Sequence, residues 1–287
     1  MIYSKIFNAS NNIDYSIIVP IYNQEDCIVE NITSIINNTI NNFELILIID
    51  YCFDKTEKNI IEFFTIYENK NDNFIKITIY KNKDKPLFET KCDNIGFKAS
   101  TGKYCLEIQA DMKMTEYGYN IHLTKPFLLY DNIIAVSGRC AHNLYDHSIG
   151  IGKLGTNIEK SINELKIDKN KFYVYETCNR GPLLIDRKKL EELNLLDEDE
   201  YFLDNSDHDL MARAYLYKKY ICGYVPIDFY APLYLGSTRN NNTYGYCKEY
   251  ITNNNEKAIM QNKCNSKLGL KKYINNWKNR SPKIYNI

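Results

Sequence analysis

Ser16-Ile-Ile-Val-Pro-Ile-Tyr-Asn23 opens a pattern that returns as Glu44-Leu-Ile-Leu-Ile-Ile-Asp50 and as Tyr104-Cys-Leu-Glu-Ile-Gln-Ala-Asp111. Each run is almost continuously apolar and stops on a polar side chain. The first two lead into segments of helical periodicity. Runs of this kind, alternating with helices, indicate parallel strands buried on both faces. Such sheets hold ligands in the crevice beyond the carboxyl ends of their strands. The polar ends at Asn23, Asp50 and Asp111 are therefore expected to face a ligand.

Working outward, the pattern predicts a strand over 16–21, a helix over about 25–40, a strand over 44–50, a helix over about 55–67 and a strand over 74–80. A helix over about 92–101 and a strand over 104–110 complete a Rossmann-like half. Residues 1–14 carry no pattern and read as a short lead-in. Beyond Asp111 the regularity weakens. Ile133 to Ser137 and Gly181 to Asp186 read as strands, Arg187 to Leu195 as a short helix, and Asp207 to Tyr220 as a stronger one, with Leu210, Ala214 and Tyr217 on one stripe. Asn240-Asn241-Asn242 punctuates a loop, and a lysine-rich helical pattern then runs to about Trp277.

A chain of 287 residues, 44% hydrophobic and 25% charged, can bury a substantial core. Its 36 basic and 36 acidic residues balance, which gives no electrostatic case for a nucleic-acid partner. After Glu256 the side-chain carboxylates stop while lysines continue, so the end of the chain is basic. Nine cysteines at irregular spacing, without a CxxC pair, fit reduced thiols in a cytoplasmic compartment better than a disulfide framework or a zinc site. No segment reads as a signal peptide or approaches the roughly 20 apolar residues of a membrane span, so a soluble or peripherally attached protein is expected.

Four pieces in order carry a resemblance. Ile18-Val19-Pro20-Ile21-Tyr22-Asn23, Asp50 followed by Asp54-Lys55-Thr56, Asn94-x-Gly96-x-x-Ala99-x-x-Gly102-x-Tyr104, and Gln109-Ala110-Asp111 resemble the family 2 glycosyltransferases of the GT-A fold. The resemblance covers roughly residues 15–240. It implies an α/β fold with a Rossmann-like, mostly parallel mixed sheet flanked by helices. A domain over 1–240 is expected, divided into a nucleotide-binding half (15–111) and an acceptor-binding half (112–240), with a basic helical tail over 241–287. It further implies an inverting, metal-dependent transfer of one sugar from a nucleotide diphosphate sugar, UDP favoured, to a hydroxyl on a glycan, a protein or a lipid-linked acceptor.

Residue by residue, the resemblance assigns Pro20, Tyr22, Asn23, Asp50, Asn94, Gln109 and Ala110 to the nucleotide and Asp111 to a divalent cation, Mn²⁺ or Mg²⁺. The chemistry agrees with those roles. A carboxylate at a strand end accepts from a base imino group. A departing diphosphate needs a hard cation held by oxygen ligands. At Asp50 the competing role is the cap of the helix starting near Lys55, for which Asp54 is the better candidate. Two departures stand out: Gln109 replaces the first carboxylate of the usual Asp-x-Asp, and Asp93 replaces an arginine, with Lys91 or Lys98 as substitutes.

An inverting transfer also needs a base for the acceptor hydroxyl. Asp207, in Asn205-Ser-Asp-His-Asp209, matches the family's base, with Asp209 in reserve. A helix N-terminal dipole role is the competing reading for both. Asn179, Arg180 and Gly181 lie where the acceptor floor begins, and Arg239 could pair bidentately with diphosphate oxygens. Two other functions compete. A sugar-phosphate nucleotidyltransferase would carry a Gly-rich basic loop after its first strand, where this chain has Gln24-Glu25-Asp26. A degenerate glycosyltransferase-like binding module would not need both Asp111 and Asp207. In the tail, lysines with an apolar stripe could lie on an anionic membrane or pack on the core.

Overall fold

The computed structural model describes residues 1–10, 12–142, 153–155, 167–201, 205–232, 236 and 283–287. Fifteen strands and six helices lie among them. The strands are β1 (Tyr3–Ile6), β2 (Tyr15–Ile21), β3 (Phe43–Asp50), β4 (Phe74–Asn82), β5 (Tyr104–Glu107), β6 (Lys113–Met114), β7 (Ile133–Ser137) and β8 (Cys140–His142). They continue with β9 (Lys153–Gly155), β10 (Lys171–Tyr175), β11 (Thr177–Cys178), β12 (Leu183–Asp186), β13 (Ile221–Tyr224), β14 (Phe229–Tyr230) and β15 (Lys283–Asn286). The helices are α1 (Ile28–Asn38), α2 (Thr56–Ile66), α3 (Phe88–Ala99), α4 (Tyr119–Leu129), α5 (Arg187–Glu192) and α6 (Ser206–Lys218).

Ten strands form one mixed sheet in the order β1-β4-β3-β2-β5-β12-β7-β13-β10-β15. The run β4-β3-β2-β5 is parallel throughout. The second half joins it antiparallel, through β12 against both β5 and β7, and returns to parallel pairing only between β13 and β7. The chain moves outward from β2 through β3 to β4 and then jumps back across β2 to β5. That reversal makes the β2/β5 carboxyl ends the switch point where an open α/β sheet takes its ligand.

Alternation along the buried strands divides the core into two layers. Ile17, Val19 and Ile21 of β2 point to the side of α1, α2 and α4, where Ile28, Ile32, Ile60, Phe64 and Leu123 cover them. Ile18, Ile46 and Ile48 point the other way, to Phe97 of α3 and Leu210, Met211 and Ala214 of α6. In α1, the buried Ile28, Ile32, Ile35 and Ile36 form one helical stripe. The expected stripe on α6 stops short: Leu210 and Ala214 are buried but Tyr217 is exposed.

Gly96 and Gly102 set the closeness of α3 to the sheet. A Cβ on Gly96 would lie 2.3 Å from Ile18 Cγ2, and one on Gly102 would lie 2.7 Å from the Ser16 backbone nitrogen. At Gly102 the neighbour is backbone and leaves no room for a side chain, whereas at Gly96 the Ile18 side chain would have to move.

The two ends of the chain correct the sequence reading. The unpatterned lead-in contains β1, paired antiparallel with β4 from Tyr3↔Ile79 to Ile6↔Lys76. It closes an edge too short to register as a periodic run. The tail, expected to be helical, ends in β15, which pairs antiparallel with β10 and sets Tyr285 4.8 Å from Tyr130, ring to ring. Its lysine-rich stretch lies outside the described residues. Among those described, no helix is long and apolar enough to cross a membrane.

Candidate active site

At the switch point, α1 and the turn after β5 are tied together. Asn31 Nδ2 donates to the Ala110 carbonyl at 2.5 Å, and Cys27 Sγ contacts the same oxygen at 3.9 Å. Asp111 follows in that turn, nearly buried, and its charge adds to burial in pushing the Cys27 thiol up to about 12. Asn23, at the end of β2, adopts a left-handed conformation (φ 46°). Its Oδ1 accepts from the Phe53 amide at 3.1 Å, and its buried Nδ2 has no partner among the described residues. The Tyr22 ring meets that of Phe53 edge to face at 6.1 Å, and Phe53 is exposed. Pro20 lies one register step inside, opposite Ile48. These residues make a half-aromatic wall beside the turn that carries Asp111.

Asp50 ends β3, but its oxygens are directed at the loop after β4. Asn82 Nδ2 donates to it at 2.7 Å, and the amides of Leu87 and Phe88 donate at 3.0 Å. Burial raises its pKa, and those donors pull the other way. It therefore braces the start of α3 rather than the helix near Lys55. That second start belongs to Asp54, which accepts from the Thr56 amide at 3.0 Å. The Cys92 thiol is a further donor to the same carboxylate, which has about four acceptor positions.

Asn94 departs from its expected role. Its Nδ2 donates to the Leu196 carbonyl (2.9 Å) and to Glu198 (2.6 Å), and its Oδ1 accepts from the Leu196 amide (3.1 Å). Its hydrogen-bonding groups thus brace the 193–198 turn and are not directed to the strand ends. Lys98, named as a substitute for the missing arginine, pairs instead with Glu198 at 3.8 Å.

The second half brings charge to the β5 turn. Gln109 Nε2 donates to Glu89 at 2.8 Å, and its Oε1 accepts from Arg139 Nη1 at 3.2 Å. The amide that replaces the usual carboxylate is thus a bridge between an acid and a base. Arg180, expected on the acceptor floor, is buried. Its Nη1 donates to Asp93 at 2.9 Å and its Nη2 lies 3.4 Å from Glu89. Its amide donates to Asp207 Oδ2 at 3.1 Å, and the next amide, of Gly181, donates to Glu107 at 2.7 Å. Asn179 is held to Cys140, whose Sγ donates to its Oδ1 at 3.3 Å.

Asp207 stands in the first turn of α6, where the His208 amide donates to its Oδ1 at 2.8 Å. Burial works against its charge, but His208, Arg180 and the two amides outweigh it and hold the carboxyl below its ordinary range. Asp209 faces elsewhere. It accepts from Arg213 Nε at 2.7 Å, and that guanidinium donates on to the carbonyls of Leu193 and Leu195. The reserve candidate is thus an anchor of α6 against the preceding turn. Arg239 lies outside the described residues.

Glu107 and Glu89 enter the site unannounced by the sequence reading. Glu107 had a signal, since it is the one charged residue within an otherwise apolar stretch of β5. Burial and the nearby Asp93 and Glu89 push its pKa well up. Burial likewise pushes Asp93 up to about 8, against the pull of Arg180 and with Glu89 adding to the rise.

The donor set bears on a cation. Among the described residues no three His, Cys, Asp or Glu side chains gather as a metal cage. Asp111 offers one hard oxygen, which suits Mg²⁺ or Mn²⁺ bound largely through diphosphate and water.

Comparison with known proteins agrees with this architecture. No curated protein matches the chain by sequence. Among solved structures, Staphylococcus aureus TarS 1–349 superposes with a TM-score of 0.52 at 15% identity, over 77% of this chain and 61% of that one. The mannosyltransferase PcManGT from Pyrobaculum calidifontis, in complex with GDP-Man and Mn²⁺, gives 0.53 at 16% identity, over 76% and 56%. GalNAc-T7 with UDP, GalNAc and Mn²⁺ gives 0.55 at 14% identity, over 76% and 43%. The chain thus spans less than two thirds of each of these structures, and at such identities the likeness concerns the fold. The sequence profile of glycosyl transferase family 2 matches residues 16–193, which run from the second residue of β2 through α5 and include the β2/β5 switch point. A match over that much of the chain, with the GT-A architecture beneath it, makes this protein a member of glycosyl transferase family 2.

Proposed function

We propose that the protein transfers a single sugar, with inversion, from a nucleotide diphosphate sugar to an acceptor hydroxyl. The observation that carries this reading is Asp207: a buried carboxylate kept ionised at a helix N-terminus, linked through the amides of Arg180 and Gly181 to Glu107 on β5, the strand that leads into the turn of Gln109 and Asp111. Asp207 takes the proton of the acceptor hydroxyl as its oxygen bonds to the anomeric carbon. The bond from that carbon to the diphosphate oxygen breaks on the opposite face, and the electron pair leaves with the nucleoside diphosphate.

The nucleoside lies along Tyr22, Asn23 and Phe53, with Asp50 at the end of β3 toward the base and Ala110 and Gln109 lining the turn. Asp111 holds Mn²⁺ or Mg²⁺, which when bound offsets the charge developing on the diphosphate. UDP is the favoured nucleotide, a choice supported by its presence with two of the structural neighbours, TarS and GalNAc-T7. Asn179 contributes to the acceptor floor, and a glycan, protein or lipid-linked hydroxyl is the acceptor class.

The test is incubation with UDP- and GDP-sugars, with and without Mn²⁺ or Mg²⁺, following nucleoside diphosphate release and the anomeric configuration of the product. Metal-stimulated release that Asp111→Ala abolishes, with an inverted product, is the expected result. Retained configuration, or full activity of Asp111→Ala, would overturn the respective parts of the proposal.

A further inference from the structure

Arg180 and Gly181 present two consecutive amides to two carboxylates on different elements, Asp207 at the start of α6 and Glu107 on β5. What fixes that dipeptide is the Arg180 side chain. Its guanidinium lies inside the protein between Asp93 and Glu89, both on α3, at 2.9 and 3.4 Å. Asp93 Oδ1 and Glu107 Oε1 are fully buried and have no hydrogen-bond partner among the described residues. One guanidinium therefore serves an excess of acid, and its position is strongly determined.

We infer that Arg180 is a positioning residue for the transfer: anchored on α3 by Asp93 and Glu89, it holds the Asp207 carboxylate through its own amide and does not touch the acceptor. The inference rests on Asp207 as the base. It also accounts for the replacement of the family's arginine by Asp93, since a cation at 93 would face the Arg180 guanidinium in a buried space. The charged and titratable groups around Asp207 are Glu89 and Asp93 from α3, Glu107 from β5, Arg180 and Cys178 from the segment beginning with β11, and His208 on its own helix. Arg180 lowers the proton affinity of Asp207, so removing its charge moves the acid limb of the rate profile to higher pH.

The experiment compares wild type with Arg180→Lys, Arg180→Gln and the double variant Arg180→Gln/Asp93→Asn. The last removes the charge of both partners and guards against simple unfolding. Thermal melting, nucleoside diphosphate affinity, KM for acceptor, kcat and the pH dependence of transfer are measured. For the double variant the expected result is a folded protein with unchanged nucleotide affinity and acceptor KM and a kcat lower by roughly 10- to 100-fold; for Arg180→Gln, which removes the guanidinium and keeps the carboxyl at 93, it is an acid limb displaced upward. Arg180→Lys, which keeps the charge, should lose rate with little displacement. A raised acceptor KM at unchanged kcat would make Arg180 an acceptor contact and overturn the inference. So would a double variant with wild-type rate, or Arg180→Gln with a wild-type pH profile. Wild-type transfer by Asp207→Asn would instead remove the base assignment itself, a separate failure.

Discussion

Asn94→Ala separates the role given to this residue by motif resemblance from the one given by its contacts. The substitution removes two hydrogen bonds to the Leu196 backbone, at 2.9 and 3.1 Å, and one to Glu198 at 2.6 Å. Leu196 is 3% exposed, so its amide and carbonyl are left with little access to water. A neutral hydrogen bond contributes about 1 kcal/mol net, and a stranded buried polar group costs about 1–3 kcal/mol. Glu198 lies at a groove and regains water, which limits its share. The expected loss is about 2–4 kcal/mol of folding stability, read in urea as a lower midpoint at unchanged slope. Because none of these bonds points to the β2/β5 crevice, calorimetry should give a nucleoside diphosphate affinity within about twofold of wild type. A tenfold weaker nucleotide at an unchanged urea midpoint would refute the reasoning and return Asn94 to the nucleotide.

Further outcomes follow from the same geometry. Asp207→Asn keeps the shape of the site but removes the base, so transfer should slow roughly 10²–10⁴-fold while calorimetry finds donor binding intact; a rate within a few-fold of wild type would exclude the role. Gly96→Ala would put a methyl 2.3 Å from Ile18 Cγ2 in a filled layer, and overpacking of this kind costs about 1–3 kcal/mol in urea unfolding. An unchanged midpoint would mean that α3 can shift. Glu116 accepts from His122, Lys169 and the Asp228 amide, which, against burial, lower its pKa from 4.5 to about 2. A depressed carboxyl contributes stability above its unfolded value and loses it as pH falls through the folded one. Glu116→Gln should therefore be less stable than wild type at neutral pH, with the gap closing between about 4.5 and 2. A gap independent of pH would show that the ion pairs are not its source.

Much of the fold was legible because continuous apolar runs permit few structures. β2, β3 and β4 were located to within about two residues by their buried isoleucines and leucines, and their order with the intervening helices implied a parallel half. The edge strands β1 and β15 were not legible. They are four residues long, half exposed in β1 and mostly exposed in β15, and defined by pairing with β4 and β10 rather than by their own pattern.

The same division holds in the site. The carboxylates and amides ending the strands were visible as polar breaks in apolar runs, and Asp207 as an acid before a helix. Which way each pointed was not. Asn94 and Asp209 belong to good motifs but turn toward Leu196 and Arg213, because a helix presents successive residues to different neighbours. Arg180 read as part of the acceptor floor, and only the packing of α3 against the segment after β11 buries it between Asp93 and Glu89. Sequence determined which groups are available at the strand ends, since hydrophobic periodicity fixes where strands stop. Tertiary structure decided which of those groups neutralise one another and which remain for a ligand, since charges far apart in the chain meet only once the sheet is assembled.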